Sequence, residues 1–204
     1  MTTTTAYLIR HAQSHPSSKI EESQWPLSQV GMVQAGKLSR LLESIEIAKV
    51  YSSPYVRCLS TIEPFSKRRG LDVLVEKNLQ ERKVAEGVRD DFREVWQRSW
   101  EDFSFALPGC ETSFDAQDRF VRAVMQILKE EASSSIAICA HGNVMGLLLN
   151  HLEPTYRRAE ADLMRNPDIV KLVANGDDFV WDREFELPGL DEIATDHRET
   201  PIDW

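Results

Sequence analysis

Two histidines and two arginines of this chain are of the types that bind and transfer a phosphoryl group. Arg10 and His11 are adjacent, and Gly142 follows His141 directly. The guanidinium fork of an arginine, as at Arg10 and Arg57, matches a pair of phosphate oxygens. A histidine can attack phosphorus, and neighbouring arginines disfavour the imidazolium and so keep the attacking nitrogen free. The set predicts a pocket for a tetrahedral dianion, which would need a carboxylic acid nearby to protonate the leaving oxygen.

The elements that must position these residues alternate between strands and helices. Short apolar runs predict strands at about 6–9, 48–51, 71–75 and 136–140. Capping residues and apolar faces predict helices at about 28–45, 55–69, 113–130 and directly after residue 141. The aromatic spacing from Phe92 to Phe103 predicts one more short helix, and Asn175-Gly176 predicts a hairpin. This alternation indicates an α/β fold with a largely parallel sheet.

The polar residues gather at one edge of this predicted sheet. Two predicted strands run into His11 and His141, and a third ends at Ser52-Ser53, shortly before Arg57. Ligands of open α/β sheets bind beyond the carboxyl ends of the strands. The helix after His141 would add backbone N–H groups and its positive dipole end. We therefore expect the site at this edge.

The composition restricts the class of protein. A chain of 204 residues is long enough for one core with a small insertion, and a net charge of −9 argues against a nucleic-acid partner. No apolar run reaches the length of a membrane span, and the first residues do not resemble a signal peptide. Cys58, Cys110 and Cys139 are too widely spaced to suggest a disulfide framework or a zinc site. We expect a cytoplasmic protein that contacts neither nucleic acid nor a membrane; its oligomeric state stays open.

Six short segments between Tyr7 and about Leu149 carry a recognisable pattern. They are 8–14 (LIRHAQS), 26–35 (PLSQVGMVQA), 52–61 (SSPYVRCLST), 79–87 (LQERKVAEG), 108–112 (PGCET) and 140–142 (AHG). In type and order these segments resemble the signature segments of the histidine phosphatase superfamily, which includes the phosphoglycerate mutases. The resemblance implies a three-layer α/β/α sandwich with a mostly parallel sheet and a small helical cap. It further implies a single domain over 1–204, with the cap at about 83–109 and an acidic surface tail at about 187–204.

The resemblance also implies a role for each matching residue. His11 would form a phosphohistidine, and Glu81 would be the general acid and then the base for the hydrolytic water. The phosphoryl group would be held by Arg10, Arg57 and His141. Secondary phosphate contacts would come from Gln13, Ser14 and Gly142. No metal or other cofactor would be needed.

Ala12 and Cys110 depart from the family pattern, because both stand where the family usually has glycine. A positive φ angle or a close ligand approach at either position would strain the site.

The expected function is hydrolysis of a small phosphorylated metabolite, and three alternatives stay open. A cofactor-dependent phosphoglycerate mutase usually has a longer insertion after the residue that matches Glu81. A protein phosphohistidine phosphatase is typically shorter and nearly free of a cap. A non-catalytic phosphate-binding protein would need neither a nucleophile nor an acid.

Overall fold

The computed structural model describes residues 3–87, 89–176 and 178–196, and these form a sheet with helices on both faces. The strands are β1 Thr3–Arg10, β2 Lys49–Ser52, β3 Val73–Val75, β4 Ser135–Ala140, β5 Asp168–Asn175 and β6 Asp178–Asp182. The helices are α1 Gln29–Leu41, α2 Val56–Arg69, α3 Phe92–Glu101, α4 Ser113–Glu130, α5 Gly142–Leu152 and α6 Arg158–Ala161. Three short 3₁₀ turns cover Glu22–Gln24, Leu42–Ser44 and Lys77–Leu79.

The strand order is β3-β2-β4-β1-β5-β6, which places the two histidine-bearing strands side by side. The first four strands in this order run parallel, β5 pairs antiparallel with β1, and β6 pairs antiparallel with β5. In the register of β1 and β4, Arg10 pairs with Ala140. His11 and His141 therefore leave the sheet next to each other at its carboxyl edge. The predicted α/β fold with a mostly parallel sheet is confirmed.

Two apolar layers hold the helices against the sheet. Along β1, Ala6 and Leu8 point into the layer under α4 and α5, while Tyr7 and Ile9 point into the layer under α1 and α2. This is the alternation of side chains expected for a strand buried on both faces. The predicted three-layer α/β/α arrangement is therefore present, and the segment before α4 contributes α3 as a small helical cap.

The predicted helix ends that matter for the site are also present. The Ser28 hydroxyl caps α1 by accepting a hydrogen bond from the backbone N–H of Gly31 at 3.0 Å. Gly31 can approach because it has no side chain: a Cβ there would lie 1.9 Å from the carbonyl oxygen of Gln13. Helix α1 is thereby packed closely against the chain that follows β1.

The expectation of an acidic surface tail is wrong for its first part. Leu187, Leu190 and Ile193 are buried in the apolar layer that also covers α1 and α2. The Nε2 amide of Gln34 donates to the backbone carbonyl of Ile193 at 2.9 Å. Burial of these three apolar residues holds this acidic segment against the fold. The remainder of the predicted tail, 197–204, lies outside the described residues.

No helix in the described part of the chain is long and apolar enough to cross a membrane.

Candidate active site

His11 lies directly beyond β1, with its imidazole held in one tautomer. Its Nδ1 is 2.7 Å from the carbonyl oxygen of Ala12, and a carbonyl can only accept, so Nδ1 carries the proton. Its Nε2 is therefore unprotonated, and its single lone pair accepts a hydrogen bond from Nε of Arg57 at 3.2 Å. The backbone is fixed as well, because the His11 carbonyl accepts from Nδ2 of Asn166 at 2.7 Å. The result is a neutral imidazole with a defined reactive nitrogen.

His141 stands beside His11 and shares its arginine. The Nε–H of Arg57 also points to Nδ1 of His141 at 3.2 Å, so one N–H lies between the two rings, whose centroids are 5.3 Å apart. On its other side, Nε2 of His141 is 2.7 Å from the hydroxyl of Ser53 and 3.4 Å from the thiol of Cys58. His141 is fully buried. Arg57 thus sets the relative position of both imidazoles.

Burial keeps both imidazoles neutral. Desolvation, followed by the charges of Arg57 and Arg10, lowers the pKa of His11 well below its usual 6.5. For His141 the order of causes is desolvation, then Arg57, then the neighbouring His11. The lowered pKa of His11 keeps Nε2 unprotonated, which an attacking nitrogen needs.

The outer edge of the Arg57 guanidinium is bound by Glu22, from the loop that follows β1. Its terminal nitrogens donate to the Glu22 carbonyl at 2.9 Å and to the Glu22 carboxylate at 2.8 Å. The ring centroids of Tyr55 and Trp25 lie 4.8 and 5.6 Å from its central carbon. Glu22 and Trp25 therefore hold Arg57 in place, and a phosphoryl group on this edge would have to share it with a carboxylate.

Arg10 lies across the site with part of its hydrogen-bonding capacity unused. One terminal nitrogen donates to the backbone carbonyl of Met164, while its buried Nε has no partner among the described residues. Burial lowers the pKa of Arg10 to about 10, although the carboxylates of Glu81 and Asp168 act in the opposite direction. Gly142 is required here, because a Cβ at that position would lie 2.7 Å from the Arg10 guanidinium. The Nε–H of Arg10 is thus buried against Gly142 without a hydrogen-bond partner among the described residues.

Glu81 places a carboxylate at the N-terminus of α5. One oxygen accepts from the backbone N–H groups of Arg82 and Val144 at 2.9 and 3.1 Å, and the other accepts from that of Asn143 at 3.2 Å. Burial is the largest influence and raises the pKa of Glu81, while the charge of Arg57 opposes it. A buried carboxyl with a raised pKa beside a cationic site is the usual form of a general acid.

Arg82 fixes the segment that carries Glu81. It is buried, and it donates to the hydroxyl of Ser113 at 2.7 Å and to the carbonyl of Glu111 at 3.1 Å. The Glu111 carboxylate itself forms a two-point ion pair with Arg119 at 2.9 Å. Glu111 therefore supports the segment that carries Glu81 from the side away from the site.

The residues expected to make secondary phosphate contacts bind other groups in the structure. The Gln13 side-chain oxygen accepts from the hydroxyl of Ser28 at 2.6 Å, and Ser14 forms an isolated bridge with Leu27. Gly142 makes room for Arg10, and the N–H groups that follow it point to Glu81. Phosphate contacts from Gln13, Ser14 and Gly142 stay predictions.

The backbone is compatible with the side chains of Ala12 and Cys110, the two residues that depart from the glycine pattern. Neither Ala12 nor Cys110 has a positive φ angle. The Ala12 N–H donates to the Thr61 hydroxyl at 2.9 Å, and its methyl group is buried. In the segment that contains Cys110, Gly109 takes the left-handed conformation, with φ at 76°. These substitutions leave the described backbone unstrained.

A cavity of about 620 Å³ opens in front of these groups and extends under the cap. Its cationic lining residues are Arg10, Arg57, Arg82, Arg89, Arg93 and Arg158. Its acidic lining residues are Glu22, Glu81 and Asp162. The cap adds two aromatic side chains, Phe92 and Trp96. The acidic chain thus encloses a site with an excess of positive charge, which suits a small anion.

Sequence reasoning missed the residues that support the site from far along the chain. Asn166 and Met164 contact β1 from the segment before β5, where no motif pointed to a role. Glu22 lies in a polar loop that gave no signal for a specific contact.

Within the described residues, no group of three or more His, Cys, Asp or Glu side chains is arranged to hold a metal ion.

Known proteins match this chain along most of its length. The sequence profile described as "Histidine phosphatase superfamily (branch 1)" matches residues 6–185. A relative from Hydrogenobacter thermophilus, named "Putative phosphoserine phosphatase 2", is 27% identical over 153 residues, which are 68% of this chain and 73% of that protein. A relative from Proteus mirabilis, named "Probable phosphoglycerate mutase GpmB", is 25% identical over 211 residues, with 93% and 96% covered.

A solved structure shares the fold. The mycobacterial glucosyl-3-phosphoglycerate phosphatase, in complex with inorganic phosphate, superposes with a TM-score of 0.72 at 20% identity. The match covers 91% of this chain and 98% of that chain.

Proposed function

The chain belongs to the histidine phosphatase superfamily, and we propose that it hydrolyses phosphomonoesters through a phosphohistidine at His11. The observation that carries this proposal is the arrangement around Arg57. Its Nε–H lies 3.2 Å from Nε2 of His11 and 3.2 Å from Nδ1 of His141, while Nδ1 of His11 is bound to the Ala12 carbonyl. A nucleophilic nitrogen and the groups that would stabilise the transferred phosphoryl are thereby held together.

In the first step, the lone pair on Nε2 of His11 forms a bond to phosphorus as the bond from phosphorus to the ester oxygen breaks. The leaving oxygen takes a proton from Glu81, whose raised pKa favours the protonated form that this step needs. Binding of a dianion beside Glu81 raises that pKa further, because like charges disfavour ionisation.

In the second step, water attacks the phosphohistidine. The Glu81 carboxylate, now ionised, takes the proton from the water as the new oxygen–phosphorus bond forms. The nitrogen–phosphorus bond breaks, which releases inorganic phosphate and restores His11. The same carboxyl thus acts as acid and then as base.

The proposed reaction needs no metal, because protein donors replace it. The guanidinium groups of Arg10 and Arg57, which both line the cavity, would stabilise the charge that develops on the phosphoryl oxygens. The cavity volume of about 620 Å³ suits a small phosphorylated metabolite.

A cofactor-dependent phosphoglycerate mutase is the second candidate. The relative named as a phosphoglycerate mutase matches 93% of this chain, which favours it. The interval between Glu81 and the PGCET segment is short, which favours hydrolysis. A mutase assay with 2,3-bisphosphoglycerate, run beside phosphate release from the same substrates, separates the two functions.

The test of the proposed reaction is turnover of 4-nitrophenyl phosphate by the wild type and by His11→Ala. The variant should lose turnover by at least about ten-thousandfold, since the nucleophile is gone. His151→Ala, at the exposed end of α5, is the matched control and should retain it. The wild type should also form an acid-labile phosphoenzyme that His11→Ala lacks, and EDTA should leave its rate unchanged. Activity in His11→Ala would refute the mechanism.

A further inference from the structure

We propose that Glu22 sets the affinity of the site for phosphoryl groups, because its carboxylate competes with them for the guanidinium of Arg57. Glu22 would thereby limit the retention of inorganic phosphate, and the ligand class on which it acts is the phosphate dianion. This inference rests on the proposed hydrolysis, since it assigns an effect on release of the product to a residue outside the reacting groups.

The first observation is how few donors Arg57 keeps for a ligand. A guanidinium has five N–H groups. The Nε–H lies between the two histidines, one terminal nitrogen donates to the Glu22 carbonyl at 2.9 Å, and the other donates to the Glu22 carboxylate at 2.8 Å. At most two N–H groups remain for a phosphoryl group that binds Arg57, unless it displaces Glu22.

The second observation is the restricted access to Arg57. Both Arg57 and Glu22 line the cavity, but the side chain of Arg57 is only 4% exposed, against 35% for that of Glu22. The aromatic rings of Tyr55 and Trp25 lie beside the same guanidinium. Only a small part of the guanidinium therefore faces the cavity, and an anion that reaches it comes close to the carboxylate already bound there.

The third observation is that the segment carrying Glu22 is weakly packed. Glu22 begins the 3₁₀ turn Glu22–Gln24, which contains no buried residue. The loop is closed at its base, where the N–H of His15 donates to the carbonyl of Pro26 at 2.8 Å. Segments with few buried contacts move at a low cost in free energy. The loop can therefore withdraw the Glu22 carboxylate from Arg57 while its base stays in place.

The fourth observation is the sign of the charge on Glu22. A phosphoryl dianion on the Arg57 guanidinium would lie a few ångströms from the carboxylate, and like charges repel strongly at such distances in a partly buried site. The repulsion acts on bound substrate and on bound inorganic phosphate alike. Glu22 therefore weakens the binding of both, and the weaker binding of inorganic phosphate favours release of the product.

The test is the affinity for inorganic phosphate, measured by calorimetric titration of the wild type and of Glu22→Gln. The amide keeps the size of the side chain and an oxygen that can accept from Arg57, but it removes the charge. Glu22→Gln should bind phosphate about tenfold more tightly, and the inhibition constant of phosphate against 4-nitrophenyl phosphate should fall by the same factor. Glu21→Gln is the matched control, because it makes the same change in net charge at an exposed neighbour. Its phosphate affinity should stay within about twofold of the wild type.

A purely structural role for Glu22 predicts an effect of the opposite sign. If Glu22 only holds Arg57 in place, Glu22→Gln should bind phosphate more weakly, so weaker or unchanged binding would overturn the proposal. An equal gain in Glu21→Gln would trace the effect to net charge and would overturn it as well.

The titration also separates this inference from the proposed hydrolysis, because it requires no turnover. If the wild type hydrolyses no phosphomonoester, the hydrolysis fails, and the phosphate affinities still decide the role of Glu22. Turnover by the wild type together with equal phosphate affinities would reject the role of Glu22 and leave the hydrolysis supported.

Discussion

The two sides of the cavity are built in opposite ways. On the sheet side, formed by Arg10, His11, Arg57, Glu81 and His141, the two histidines and Arg57 are buried and joined by hydrogen bonds. Arg10 and Glu81 are partly buried and are held by backbone groups. The cap side, formed by Phe92, Arg93, Trp96, Arg158 and Asp162, is partly exposed, and Arg93 has no ion-pair partner within the described residues. Phosphoryl transfer depends on exact positions, whereas recognition of a leaving group tolerates movement. The comparison therefore assigns the proposed chemistry to the sheet side and the selection of substrate to the cap side.

Glu81→Gln tests the sheet side most directly. Loss of the general acid should reduce kcat/KM about a thousandfold for an alkyl phosphate, whose leaving oxygen needs a proton. The loss should be much smaller for 4-nitrophenyl phosphate, because its leaving group departs without protonation. Steady-state assays of both substrates measure the difference.

The pH profile provides the control for this variant. The raised pKa of Glu81 means that its acid form is lost as pH increases, so the wild-type rate with the alkyl phosphate should fall on the alkaline side. Glu81→Gln should lack this decline. Glu86→Gln, which changes an exposed carboxyl paired with Lys83, should keep the wild-type profile. Equal losses with both leaving groups in Glu81→Gln would assign the acid role to another residue.

Arg57→Lys separates charge from geometry on the sheet side. Lysine keeps the positive charge but lacks the Nε–H that lies between the two histidines and the fork that Glu22 holds. We expect kcat for 4-nitrophenyl phosphate to fall about a hundredfold. Arg68→Lys, on the exposed face of the same helix, should have no effect. If Arg57→Lys retains full activity, charge alone is sufficient and the rigid arrangement is unimportant.

The positions of Arg10, His11, Arg57 and His141 were predictable because they are fixed by local sequence, whereas Glu81 was assigned only through the family resemblance. Arg10 ends β1 and His11 follows it, and His141 directly follows β4. Ser52-Ser53 places Arg57 at the start of a helix. Strand ends and helix caps follow from nearby residues, and parallel pairing then brings these ends to one edge. The helix of the cap could be predicted from its aromatic spacing for the same reason.

The remaining parts depend on contacts between distant segments. Asn166 reaches the carbonyl of His11 across 155 positions, and only the antiparallel pairing of β5 with β1 brings it there. Leu190 and Ile193 are buried because the last segment folds back onto α1. Within the described residues, Arg158 pairs with Asp162 while Arg93 has no ion-pair partner, and composition cannot show this difference. Such details follow from tertiary packing, which local patterns do not encode.

Acid stability gives the smallest expected effect, and it also distinguishes the two sides. His11 and His141 are buried as neutral rings with lowered pKa values, so the unfolded chain binds more protons than the folded one below its histidine pKa of about 6.5. Stability should therefore be complete above that pH and decrease as the pH falls through it. We expect the melting temperature to drop by about 5 °C between pH 7.5 and 5.5.

Thermal unfolding of the variants assigns this pH dependence to one side of the cavity. His11→Ala removes one of the two buried imidazoles and should show a smaller drop than the wild type. Arg93→Gln changes the cap side. Neither side chain gains or loses a proton between pH 7.5 and 5.5, so the melting temperature should drop as much as in the wild type. A drop that is unchanged in His11→Ala but reduced in Arg93→Gln would mean that acid acts on the cap. The buried, hydrogen-bonded sheet side would then not be the part of the fold that depends on neutral histidines.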